Sequence, residues 1–248
     1  MQNLKISIVT VVYNAQNTID RCLESVARQK FNNIQHIVID GGSTDGTLQN
    51  IEKYRDKLSL VISEPDSGIY DAMNKGIGLA DGDIIGTLNA DDYLADDDIL
   101  NDVANSFMQQ NVHILYGNLD FIDPNGKIVR KWRSGEYKSG KFNWGWMPPH
   151  PTFYCKRDLF KKLGGYKLDY GSAADYELML RFIHANKTNA FYLDKVLIKM
   201  FIGGVSNKSL TNRVKALLND LKAMRNNDIL FPFVTVIFKP LRKIMQFF

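Results

Sequence analysis

Residues 5–12 read Lys5-Ile6-Ser7-Ile8-Val9-Thr10-Val11-Val12. A β-branched run of this kind suits a strand covered on both faces, as in a parallel sheet. Similar short runs follow it: His36–Ile39 predicts a second strand, Leu60–Ile62 a third and Ile84–Leu88 a fourth. Helical patterns separate them. Ile19, Cys22, Leu23, Val26 and Ala27 recur on one face after a polar turn at 14–17, with Asn17 or Thr18 as the cap, and residues 70–80 predict another helix. Strands joined by helical crossovers predict an α/β fold with a mostly parallel, doubly wound sheet. Ligands of such sheets bind beyond the carboxyl ends of the strands.

The middle of the chain changes character. Ile114–Tyr116, Leu119–Ile122 and Lys127–Trp132, around a turn at Pro124-Asn125-Gly126, predict a small antiparallel part. A loop rich in Gly, Trp and Pro follows at 145–151, and then a helix over 175–184. From Leu210 the apolar positions 210, 214, 217, 218, 221 and 224 predict an amphipathic helix. The expected organisation is one catalytic domain over 1–206 and a basic amphipathic extension over 207–248.

Composition narrows the class. With 45% hydrophobic and 23% charged residues over 248 positions, the chain has enough apolar side chains for a large core. Cys22 and Cys155 are too far apart in sequence for a CxxC metal or redox motif, and reduced thiols in a cytoplasmic protein are expected. The run from Ile6 to Val12 is too short for a secretory signal, and no window has the eighteen or so uninterrupted apolar residues of a membrane span. Residues 207–248 hold eight Lys/Arg against two acids, a local charge of +6 that leaves −2 on the rest of a chain whose net charge is +4. A slightly acidic body excludes nucleic acid as the expected partner. The basic tail, where Lys239, Arg242 and Lys243 alternate with Phe238, Leu241, Ile244, Met245, Phe247 and Phe248, predicts peripheral contact with the inner face of the cytoplasmic membrane. Packing of the tail on the body, or against a second copy of the chain, is the alternative.

Three acidic sites carry the chemistry. Asp40 follows the second strand in Asp40-Gly41-Gly42-Ser43-Thr44-Asp45-Gly46-Thr47, where Thr47 stands at the place of the lysine that a phosphate-binding P-loop requires. Asp91 and Asp92 follow the fourth strand. Two adjacent carboxylates at the mouth of a sheet call for a cation if both stay ionised, and hard oxygen ligands suit Mg²⁺ or Mn²⁺. Asp175 opens the helix that continues as Tyr176-Glu177-Leu178.

Six segments in order, Ser7–Asn14, Asp40–Thr47, Asp71–Gly76, Asn89–Asp92, His150-Pro151-Thr152 and Ala173–Arg181, resemble a family 2 glycosyltransferase of the GT-A fold. The likeness runs from about Ser7 to Ser206. The pairing of DGGSTDGT with EPDSGIYDAMNKG is similar to bacterial enzymes that build cell-surface polysaccharides. The resemblance implies a metal-dependent inverting transfer from a nucleotide-sugar, most often a UDP-sugar, to a hydroxyl of a glycan or lipid-linked acceptor. It implies that Thr10, Val12, Tyr13 and Asn14 lie along the base and ribose, with Tyr13 stacking, and that Asp40 accepts a hydrogen bond from the base. Asp91 would face the ribose, Asp92 would bind the Mn²⁺ or Mg²⁺, Lys75 would help with donor charge, His150 would lie beside the donor and Asp175 would be the catalytic base. Three positions depart from the family pattern: Gly41 replaces a frequent second Asp, Asn89 a frequent acid, and Ala174 a frequent Glu. Gly203-Gly204 would form a close-approach loop near phosphate. A sugar nucleotidyltransferase, or an inactive nucleotide-sugar-binding or scaffold protein, are the rival readings. The first lacks its basic glycine-rich loop at 13–16, and the second sits poorly with Asp40, Asp92 and Asp175 all present.

Overall fold

The computed structural model describes residues 4–202, 210–244 and 246. Gly203-Gly204 and the rest of 203–209 lie outside the described residues. The chain opens with β1 (Ile6–Val12), α1 (Ile19–Ala27), β2 (Ile34–Asp40), α2 (Thr47–Glu52), β3 (Leu60–Ser63), α3 (Ile69–Leu79) and β4 (Ile84–Asn89). Then come β5 (Asp92–Leu94), α4 (Ile99–Gln110), β6 (Ile114–Ile122), β7 (Ile128–Trp132), β8 (Tyr154–Lys156), α5 (Arg157–Leu163), α6 (Ala174–Met179) and β9 (Ala190–Phe201). Two helices, α7 (Leu210–Arg225) and α8 (Pro232–Ile244), end the described chain.

Among the described residues the strands form one sheet in the order β3-β2-β1-β4-β8-β6-β9-β5, with β7 paired to β6. The β3-β2-β1-β4 half is parallel, and β1 is buried at all seven positions, as its β-branched run predicts. The second half is mixed. Strand β6 runs antiparallel to β7 and β8 but parallel to β9. Helices cover both faces. On one side α1 and α4 bury Ile19, Leu23, Leu100 and Val103; on the other α3, α6, α7 and α8 bury Met73, Leu178, Met224 and Val236. This is the α/β architecture expected from the sequence, with its antiparallel part and its C-terminal helical extension.

Several local expectations shift. The stretch 114–122 is one continuous strand, β6, rather than two. The predicted helix over 175–184 is α-helical only to Met179 and continues as a π-helical stretch, Leu180–Ala185. In α7 the apolar stripe divides. Leu221 and Met224 are buried, whereas Val214, Leu217 and Leu218 stay exposed, so the first half of this helix has no core to cover.

Candidate functional site

The loops after β1, β2 and β4 meet at the carboxyl edge of the parallel half. Asp40, the last residue of β2, is fully buried. Its carboxylate accepts from the backbone of Gly42 (3.2 Å) and Ser43 (3.0 Å), and from the hydroxyls of Ser43 (2.5 Å) and Ser63 (2.6 Å). Three of these donors converge on Oδ2 and only one reaches Oδ1, so Oδ1 keeps a free acceptor direction. Asp40 is thus the peg on which the 41–47 loop is wound, and its Oδ1 can still accept, as the expected contact with a base requires. Asn14 ties that loop to the end of β1. Its backbone amide donates to Ser43 Oγ at 2.8 Å, its side-chain oxygen accepts from Thr44 N at 2.9 Å, and its φ of +47° is one that asparagine tolerates. Tyr13, beside it, is 63% exposed and presents a free ring.

Thr10 and Val12 belong to β1. Both side chains belong to the sheet interior, where Thr10 Oγ1 meets His36 Nε2 at 2.9 Å and Val12 packs in the core. Burial holds His36 well below its usual pKa, at about 3, so it is neutral. Lys75, in α3, is engaged by Glu64 at 2.8 Å and by the Pro65 carbonyl at 3.2 Å, which ties α3 to the β3–α3 loop.

Gly41 marks a feature that no single motif reveals. A Cβ built on Gly41 would lie 2.5 Å from Asp66 Oδ2. The space beside residue 41 is thus filled by a carboxylate from the β3–α3 loop, held by the Gly68 amide at 2.8 Å.

The second acidic site follows β4. Asp92 opens β5, pairs across to Met200 of β9 and is 1% exposed. Asn89 Nδ2 donates to its Oδ2 at 3.1 Å, while Asp92 Oδ1 and Asn89 Oδ1 are both buried without a hydrogen-bond partner. Burial, and then the neighbouring Asp91, push the Asp92 carboxyl well above the usual carboxylate range. Asp91 is partly exposed. Unpaired buried oxygens are costly unless a cation or a donor satisfies them. The donor set is all oxygen, which fits Mg²⁺ or Mn²⁺ held by one or two carboxylates with substrate phosphates completing the shell. Among the described residues no group of three or more His, Cys, Asp or Glu side chains is gathered for a metal.

The third site is tied to β4 by a chain of side chains. Thr87 of β4 hydrogen-bonds Tyr166, whose hydroxyl lies 2.6 Å from His150 Nε2. The Tyr166 ring stands 5.3 Å from that of Tyr70, and the Tyr70 hydroxyl feels the neighbouring Asp175 carboxylate. Burial pushes the Tyr70 hydroxyl up, with the Asp175 charge adding to it. His150 is buried, and burial depresses its pKa although the Asp175 charge pulls the other way. Asp175 itself, in the first turn of α6, is half-buried. Two residues on, Glu177 is fully buried and bound by Arg181 at 3.0 Å and Lys167 at 3.1 Å. Of these two carboxylates, only Asp175 is left accessible to chemistry. Tyr70 sits inside a quoted motif, but its contact with Asp175 was not legible there. Tyr166 had no signal in the sequence.

The family profile described as Glycosyl transferase family 2 matches residues 7–166. The chain belongs to that family. It is therefore a glycosyltransferase, and relatives elsewhere extend the likeness. An uncharacterised glycosyltransferase of Mycobacterium tuberculosis is 32% identical over 186 residues, covering 71% of this chain and 68% of that protein. A PGL/p-HBAD biosynthesis glycosyltransferase of Mycobacterium bovis is 30% identical over 207 residues, covering 81% and 78%. In fold, the chain is similar to residues 1–349 of TarS from S. aureus, with a TM-score of 0.72 at 23% identity over 95% of this chain and 72% of that one. It spans 40% of the longer TarS chain. A mannosyltransferase of Pyrobaculum calidifontis, solved with GDP-Man and Mn²⁺, shares the fold with a TM-score of 0.67 at 16% identity, over 95% of this chain and 72% of that one.

Proposed function

We propose that this glycosyltransferase moves a sugar from a UDP-sugar, with inversion and with Mn²⁺ or Mg²⁺, to a hydroxyl of a glycan or lipid-linked acceptor in surface polysaccharide assembly. The observation that carries the reading is Asp92, a buried carboxylate with one oxygen unpartnered, next to a partly exposed Asp91 at the end of β4. Neighbours in fold support the donor class, because TarS was solved with UDP and with UDP-GlcNAc. The glycolipid relative and a chondroitin synthase of Pasteurella multocida, 25% identical, support the acceptor class.

In this mechanism Asp92 and Asn89 would hold the cation, which when bound offsets the charge that develops on the leaving diphosphate. Asp91 receives the ribose, and Tyr13 offers its face to the base. Asp40, through the open direction of its Oδ1, accepts from the base edge, and Asp66 lies beside Gly41 in the same loop cluster. Asp175 takes the proton from the acceptor hydroxyl as that oxygen attacks the anomeric carbon from the face opposite the leaving group. Tyr70 positions it. His150, kept neutral, and Tyr166 brace that wall from β4.

The second part of the proposal concerns place. Among the described residues no helix is long and apolar enough to cross a membrane. The outward face of α8 nevertheless exposes Phe233 (62%), Ile237 (62%) and Leu241 (49%) one turn apart. That row, with the tail's basic residues, would rest on the inner face of the cytoplasmic membrane. The deciding experiment is turnover of UDP-, GDP- and dTDP-sugars with Mn²⁺ or Mg²⁺. Metal-dependent release of UDP is expected, and no turnover of any donor would overturn the reading.

A further inference from the structure

Helix α8 closes over a cavity that lies away from the acidic edge of the sheet. The cavity measures about 340 Å³, and its walls include Lys131 and Trp132 of β7, Arg133, Trp146, and Lys239 and Arg242 of α8. The lid is held closely. A Cβ on Gly145, whose φ is +73°, would lie 2.5 Å from the Lys239 amide nitrogen, and Thr235 Oγ1 donates to the Asn143 carbonyl at 2.6 Å.

The charge inside is unbalanced. Arg133 is paired with Asp120 at 2.6 Å and Lys239 with Asp220 at 2.6 Å. Lys131 and Arg242 have no acidic partner among the described residues. Lys141 lies above the Trp146 ring at 5.5 Å, and burial together with the Arg242 and Lys138 charges pushes its ammonium down. Cations crowded beside aromatic walls, with fewer acids than they need, form a receptor for an anion.

The rim is apolar. Phe238 and Leu241, on the turns that carry Lys239 and Arg242, are exposed, and Trp144 stacks edge-on against Phe238 at 5.6 Å. A free phosphate would use the cations alone; an amphiphile would use both. Behind the cavity, Lys239 Nζ lies 3.7 Å from the ring centre of the buried Tyr176.

We infer that this cavity binds the phosphate headgroup of a lipid, with Lys131 and Arg242 as its free ligands and the exposed face of α8 beside the acyl chain. The inference deepens the membrane reading of the tail and rests on it. It turns a diffuse charge attraction into a seat for one headgroup.

The three tryptophans make the test local, since Trp132 and Trp146 line the cavity and Trp144 packs on its lid. The full chain is titrated with dihexanoyl phosphatidate, dihexanoyl phosphatidylcholine and inorganic phosphate while tryptophan fluorescence is read. Saturable quenching by the phosphatidate is expected, with no response to the phosphatidylcholine and a weaker one to inorganic phosphate. The double variant Lys131→Ala, Arg242→Ala should keep its melting temperature and bind the phosphatidate roughly thirtyfold more weakly, at about fivefold per lost cation. An unchanged affinity in the variant, or no quenching of the native chain, would overturn the site. Equal affinity for phosphate and phosphatidate would overturn its assignment to a lipid. Both readouts are independent of sugar transfer, so a chain that turns over no donor leaves them standing.

Discussion

Two strand ends of the parallel half use buried charge in opposite ways. At the end of β2, Asp40 is fully buried and both of its oxygens are hydrogen-bonded from within its own loops. At the end of β4, Asp92 is equally buried but keeps an oxygen without a partner. A satisfied buried carboxylate rigidifies, whereas an unsatisfied one stores a demand for a cation. Glu177 in α6, closed by Arg181 and Lys167, and Lys239 of α8, paired with Asp220, are satisfied in the same way as Asp40. Burial alone therefore does not mark a site. The unmet hydrogen bond does.

The sharpest way to break this division is at Asp175. Asp175→Asn keeps shape but cannot take a proton, so transfer should fall by roughly a hundred- to ten-thousandfold while UDP affinity holds. Near-native turnover in a coupled assay would move the base elsewhere, whereas Glu177→Gln should cost folding rather than proton transfer.

Asp92→Asn is next. Its loss should weaken Mn²⁺-dependent UDP binding by more than the ten- to hundredfold typical of losing a supporting partner, as titration calorimetry would read. Because the Asp92 carboxyl titrates well above the ordinary range, protons compete with the cation at higher pH than usual. Metal-dependent binding should thus fade on acidification before ordinary carboxylates titrate. The sign for the metal-free fold is the reverse. A group whose folded pKa is raised contributes stability below its unfolded pKa, and that contribution is lost as pH rises through the folded value. At neutral pH the metal-free Asp92→Asn chain should therefore melt higher than the native one, and a lower melting temperature would contradict the unmet-oxygen argument.

At the other end of the molecule, Ile237→Glu should remove most vesicle binding without altering the melt, because the side chain is 62% exposed and burying it in lipid is worth about 1.5–3 kcal/mol. Co-sedimentation with anionic vesicles reads this out. Gly145→Ala should cost about 1–3 kcal/mol in a denaturant melt, because the residue combines a positive φ with the α8 backbone at contact. A neutral effect would mean that α8 is not seated there.

Much of the parallel half was legible because its signals are local. β1, β2 and β4 carry apolar runs that need no knowledge of their neighbours, and acidic residues directly beyond such runs fall at the carboxyl edge by geometry alone. The twelve-residue strand β9 was not legible. It pairs parallel to β6 and antiparallel to β5, and its exposure alternates too weakly to announce a strand. The stripe in α7 misled for the same reason, since periodicity says which residues share a face but not whether anything covers it.

The sequence by itself determined the family, the parallel sheet and the order of the acidic positions along it, because each depends on residues close together in the chain. Which carboxylate oxygens are satisfied within the fold and which are not was decided only in three dimensions. Asp40 is closed by Ser63, twenty-three residues away, Asp66 fills the space beside Gly41, and Tyr70 and Tyr166 reach Asp175 from separate segments. Hydrogen-bond satisfaction is a property of the neighbours a fold brings together, and no local pattern of residues encodes it.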